Sequence, residues 1–161
     1  MAARVKRFIL ILITLLSFGC GAMQYSPPTS QPVSVTRPVN ATKSEIFLAS
    51  KKVLILEGFQ IANLDQDLGI ISTNPKQMKL TVNDVNCGST MGINYMKDKR
   101  TITKVGVLVE CNNNSVNVKC NITGEYGKGW GQQSTLQGID LTCVSKGTLE
   151  NTLIEKIISS L

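Results

Sequence analysis

The chain has 161 residues, 17 Lys and Arg against 11 Asp and Glu, a formal charge of +6 and no histidine. The missing histidine excludes Ser-His-Asp and Cys-His catalysis and every histidine-containing metal site. A hydrophobic content of 42% suits one domain of ordinary size, and no internal repeat divides the chain.

In chain order, Arg4, Lys6 and Arg7 form a basic segment without acids. Phe8 to Phe18 follows, apolar apart from Thr14 and Ser17. These eleven residues match the core of a signal peptide and are too short to cross a bilayer as a helix. The stretch Leu16-Ser17-Phe18-Gly19-Cys20 resembles the lipobox of bacterial lipoprotein signal peptides, with Ser17 where the family usually has Leu. The resemblance implies cleavage before Cys20, a diacylglycerol on its thiol and acylation of the freed amine. Several acyl chains anchor stably where one gives only marginal binding. The competing reading is an ordinary signal peptide or single-pass anchor with an incidental cysteine; the short run ending in Gly-Cys disfavours it. Gly21 stands where enterobacterial lipoproteins kept at the inner membrane commonly have Asp. By that resemblance the expected place is the cell envelope, facing the periplasm, at the outer rather than the inner membrane.

Without residues 1–19 the chain keeps 142 residues and loses three positive charges, leaving +3. That is a weak footprint for nucleic acid, and no nucleic-acid partner is expected. Residues 20–42 hold four of the five prolines (Pro27, Pro28, Pro32, Pro38) among Ser, Thr and Gln. They read as the lipidated cysteine and an extended tether, reaching roughly 60 Å at about 3.1 Å per residue. The alternative is an arm lying on the domain.

The globular domain is expected over 43–161. Thr42-Lys43-Ser44-Glu45 matches a capping box and opens a helix. Ile46, Ala49, Val53 and Leu56 fall at helical spacing, widened by Phe47 and Leu54, and Gly58 stops it. Phe59 to Leu64 and Gly69 to Asn74 read as a hairpin, with alternation resuming at Met78, Leu80 and Val82 beyond Pro75. Residues 83–100 read as a long excursion ending in a solvated Lys97-Asp98-Lys99-Arg100 turn. Val105, Val107, Val109 and Cys111 then alternate against Val116, Val118, Cys120 and Ile122 around Asn112-Asn113-Asn114-Ser115. A second excursion, Gly124 to Gly138, carries Tyr126 and Trp130. Ile139, Leu141 and Cys143 suggest a short edge strand. A final helix from about Lys146 aligns Leu149, Leu153, Ile157 and Leu161, with Ile154 and Ile158 beside them. The sum is an α+β fold: an antiparallel sheet of four to five strands covered by an N-terminal and a C-terminal helix.

Setting Cys20 apart leaves an even four cysteines, which in an exported chain suggests disulfides. Centring the hairpin on Asn113-Asn114 places Val109 opposite Val118, Val107 opposite Cys120 and Cys111 opposite Val116. Cys111 and Cys120 then sit about 13 Å apart, too far to bond, unless the register shifts. Cys87 and Cys143 lie in or beside the two excursions and are the favoured pair. Cys111 and Cys120 stay open, with buried small side chains as the plain reading.

Other motifs weigh less. Asn63-x-Asp65-x-Asp67 begins like a calcium loop, but the sixth and twelfth positions are Leu68 and Asn74, so a polar hairpin turn is favoured. The glycines around 124–131 match no phosphate loop. Neither cofactor nor metal is expected. Tyr126 and Trp130 are the candidate partner contacts, although the reading that their rings fold back over the sheet edge is favoured.

The helix followed by Gly58-Phe59-Gln60-Ile61 and Gly69-Ile70-Ile71-Ser72-Thr73 resembles the helix-grip modules of small bacterial lipoproteins. Cys143-Val144-Ser145-Lys146-Gly147-Thr148-Leu149-Glu150 resembles the ending of many exported lipoproteins. The nearest named likeness is to BamC-type accessory lipoproteins of the outer-membrane β-barrel assembly machinery, which carry two such domains where this chain has one. The resemblance implies a two-layer helix-grip-like domain and does not by itself transfer function. The expected function is a non-enzymatic envelope lipoprotein binding another envelope component, with membrane lipid held through Cys20. The alternative is a module that takes a small or lipidic ligand between sheet and helix. An enzyme ranks third, for want of any visible catalytic constellation.

Overall fold

A computed structural model describes residues 25–127 and 138–161. The expectations for Cys20, the signal segment and Trp130 lie outside the described residues. The longest regular feature is the hairpin of β9 (Thr101–Asn112) and β10 (Ser115–Tyr126). Its register is the one expected: Val109 opposite Val118, Val107 opposite Cys120 and Cys111 opposite Val116. Asn114 takes φ 62°, a left-handed conformation that asparagine tolerates better than most residues. Strict alternation turns Val105, Val107, Val109, Cys111, Val116, Val118, Cys120 and Ile122 to one buried face.

Around this hairpin the sheet has seven strand segments in five positions, since each long strand shares its outer edge between two short partners. On the β9 side, β4 (Ile70–Thr73) and β5 (Lys76–Met78) succeed one another across Pro75, and β3 (Ile61–Asp65) lies outside β4. Pro75 thus marks a break at the sheet's flank, where a missing N–H costs no ladder bond. Leu80 and Val82 lie beyond β5 and outside any strand. Asp65 Oδ1 accepts from the Leu68 amide at 2.8 Å, the polar hairpin turn expected there. Gly69 (φ 72°) is required at its position: a Cβ would stand 2.2 Å from the Cys111 carbonyl oxygen.

On the β10 side the described part of the 20–42 segment follows the alternative of an arm lying on the domain, not that of an extended tether. Tyr25–Ser26 is β1, and Ser34–Pro38 is β2, which pairs with β10 from Ser115 to Lys119. An extended, proline-bounded chain is well suited to an edge position, because an edge strand tolerates missing donors. Further along the same edge β11 (Ile139–Thr142) pairs with Thr123–Tyr126. Gly124 and Tyr126 accordingly belong to β10 and not to the second excursion.

Both helices cover the buried face. α1 (Lys43–Leu56) starts at Thr42 with the full capping box, the Thr42 side chain accepting from the Glu45 amide and Glu45 accepting from the Thr42 amide. It buries Ile46, Phe47, Ala49, Ser50, Val53 and Leu54. That arc is centred near Ser50, so at 3.6 residues per turn Leu56 faces water at 74% exposure, against the expectation. α2 (Thr148–Ile158) buries Leu153, Ile154 and Ile157. Leu161, expected on its inner face, lies past the helix end and is exposed. Lys156 joins the helix ends through Glu57 at 2.7 Å.

The fully buried Glu150 of α2 has a structural task. Between β2 and β11 the edge of β10 lacks a partner strand over 120–122. The Glu150 carboxyl fills that gap, accepting from the Cys120 amide at 3.1 Å and from the Ser145 hydroxyl at 2.6 Å. No helix among the described residues is long and apolar enough to cross a membrane.

Candidate functional site

The first excursion folds into short strands: β6 (Val85–Asn86), β7 (Ser89–Thr90) and β8 (Ile93–Asn94), then a 3₁₀ turn at Tyr95–Lys97. β6 pairs with β12 (Val144–Ser145), placing Asn86 opposite Val144. The neighbouring positions are Cys87 and Cys143, and these two form the disulfide, as expected. Gly124 makes room for it, since a Cβ there would lie 2.8 Å from Cys143 Sγ. Cys111 and Cys120 are free and buried. Burial pushes both thiols up; for Cys120 the adjacent Glu150 adds to the effect. Raised thiols in apolar surroundings are poor nucleophiles.

Above the disulfide, three tyrosines from distant parts of the chain meet. Tyr25 and Tyr95 stand edge to face at 5.7 Å, and Tyr95 and Tyr126 at 4.8 Å. Tyr25 is pinned at its hydroxyl, which accepts from the Thr142 amide at 3.1 Å and donates to the Cys87 carbonyl at 3.3 Å. The Tyr126 hydroxyl donates to Asp98 at 3.0 Å. Arg100 forms an ion pair with Asp98 at 2.7 Å, bonds the Tyr126 oxygen and lies 4.8 Å from its ring centre. Arg100 holds the Asp98 carboxyl well below the usual carboxylate range. Burial, and then Asp98, push the Tyr126 phenol up.

Arg100 is exposed, in keeping with the solvated turn expected there, and it also ties the 3₁₀ turn to β10 through Asp98 and Tyr126. Tyr126 is half-buried and engaged by Tyr95, Asp98 and Arg100, so its ring folds back onto the domain. Lys97 and Lys99 are exposed. Beside them lies a surface cleft of about 360 Å³ walled by Met78, Leu80 and Met96, with Lys79, Lys97 and Lys99 at its rim. Tyr25, Tyr95 and Asp98 were not anticipated. The only common sequence signal of Tyr25, Tyr95 and Tyr126 is a polar-tipped aromatic in each of three segments, and nothing local says that the three converge.

No protein-family model matches the sequence, and no curated protein matches it at a significant level. Two solved structures are similar in backbone. One is a DUF4468 family protein from Bacteroides ovatus, 14% identical, with 67% of this chain and 58% of that one aligned at a TM-score of 0.44. The other is a TBP-like protein from Parabacteroides distasonis, 17% identical, with 66% and 63% aligned at 0.43. The chain spans about three-fifths of the length of these two.

Proposed function

We propose that the chain is a cell-envelope lipoprotein, held in a membrane by lipid on Cys20, whose domain binds another envelope component without catalysing a reaction. The observation that carries this reading is the basic and then apolar segment that ends at Gly19-Cys20. The domain is consistent with it in two ways. Its two free thiols are buried, and its Asp98 carboxylate is engaged by Arg100 and Tyr126. Its helix–sheet seam is filled by Ile46, Leu54, Ile71, Leu153, Ile154 and Ile157, which favours an interaction domain over a ligand groove in that seam. The periplasmic face of the outer membrane is the place we favour, on the strength of Gly21.

Intact mass of protein extracted from membranes tests the anchor: diacylglycerol and acyl mass on a chain beginning at Cys20 is expected, and an unmodified Cys20 sinks the reading. For the binding role, a photo-crosslinker replacing Lys97 or Trp130 in intact cells is expected to give one discrete envelope adduct. A smear identical to that from a crosslinker at Leu68 counts against a specific partner.

A further inference from the structure

The β7–β8 hairpin turns through Met91 and Gly92, and its tip is apolar and bare. Met91 is 80% exposed and Ile93 65%. Met91 takes φ 48° and Gly92 φ 78°, a pair of left-handed positions for which Asn-Gly is the preferred sequence. A methionine at the first of these is disfavoured by its backbone and by water together.

The tip also lies where the chain enters the domain. β1 pairs with β7, Tyr25 opposite Thr90 and Ser26 opposite Ser89. In that antiparallel register Tyr25, the first described residue, is the end of β1 nearer the tip. Only four residues lie between Cys20 and Tyr25, so the five chain steps from one to the other span at most about 18 Å. A lipid on Cys20 keeps Tyr25, and the tip beside it, within that distance of the bilayer surface. Exposed Lys97 and Lys99 follow on the same segment.

We infer that the Thr90–Ile93 tip docks into the interfacial layer of the membrane that carries the Cys20 lipid. This rests on the anchor reading above. The polar interfacial layer is roughly 5–7 Å deep on each side. A two-residue turn can enter it while the strand backbone behind stays paired. Exposed apolar side chains on a tight turn suit such a layer.

The test uses the full chain, processed in cells and reconstituted into vesicles of phosphatidylethanolamine and phosphatidylglycerol. Met91→Cys carries an environment-sensitive fluorophore, and Ile93→Cys is a second, independent site. Leu68→Cys is the control, an equally bare apolar residue on the β3–β4 turn beside Cys111. Among the described residues the native cysteines do not compete for label, being buried or disulfide-bonded. The expected result is a blue shift and quenching by lipid-borne nitroxide at 91 and 93 but not at 68. If Cys20 carries lipid and the tip probes stay as aqueous as the control, the docking proposal is overturned and the anchor stands. Tip probes shielded from aqueous quencher yet untouched by the nitroxide lipid point to a protein contact and overturn it equally. An unmodified Cys20 overturns the anchor and this proposal together.

Discussion

Glu150→Leu removes the carboxyl that closes the edge of β10 while keeping the side chain's bulk. Two groups lose their partner: the Cys120 amide at 3.1 Å and the Ser145 hydroxyl at 2.6 Å. Each buried orphan costs about 1–3 kcal/mol. Ser145 still accepts from the Gly147 amide at 3.1 Å, so its loss falls at the lower end. Removing a buried carboxyl recovers part of the total, since its own burial is costly. The net expectation is a loss of about 1–3 kcal/mol. Glu150→Gln keeps an acceptor for the Cys120 amide and gives up only the charge-assisted component, so about 1 kcal/mol is expected. Urea unfolding followed by circular dichroism reads both, as a lower midpoint at unchanged slope. A Glu150→Leu protein as stable as the parent, or more so, would mean that the carboxyl is merely tolerated in the gap, and the account of how this edge is closed would be wrong.

Replacing Cys87 and Cys143 together by serine opens a loop with a sequence separation of 56, for which chain-entropy arguments give about 4 kcal/mol, commonly 2–4 in practice; a urea midpoint equal to that of the oxidised parent would refute it. Cys111 and Cys120 are expected to resist iodoacetamide at pH 8 in the folded chain and to react fully in urea. Their folded pKa values are raised, so above the unfolded thiol pKa of about 8.5 the unfolded state holds fewer protons than the native one, and stability falls as pH rises. The slope is at most about 1.4 kcal/mol per pH unit for each thiol, and Cys120→Ala is expected to flatten it between pH 9 and 10.5.

Where one local feature decides a structure, the sequence was enough. The Asn113-Asn114 pair fixes the register of β9 and β10, and that register alone separates Cys111 from Cys120. Thr42 and Glu45 set the start of α1. Where the partner decides, sequence patterning failed. Val33, Val35 and Thr36 among prolines and serines carry no strand signal stronger than that of a linker, and only the open edge of β10 makes Ser34–Pro38 a strand. Leu56 misled because helical spacing defines an arc but not its centre; the buried arc of Ile46, Phe47, Ala49, Ser50, Val53 and Leu54 centres near Ser50, which meets the Cys111 thiol at 3.7 Å. The tyrosine corner was illegible for a third reason. It joins residues 25, 95 and 126, and no periodicity spans such distances.

The position of β2 bears on how the chain is made. A ribosome delivers Ser34–Pro38 about eighty residues before the stretch of β10 that receives it, since Pro38 meets Ser115 and Ser34 meets Lys119. Through that interval the nascent chain presents an extended segment with unused backbone donors and acceptors, the kind of segment that recruits strands from neighbouring chains. Pro27, Pro28, Pro32 and Pro38 bracket it and withhold donors on both sides. The proline-rich composition that imitates a linker thus has the effect of a gatekeeper, keeping an early strand unpaired until its own sheet exists.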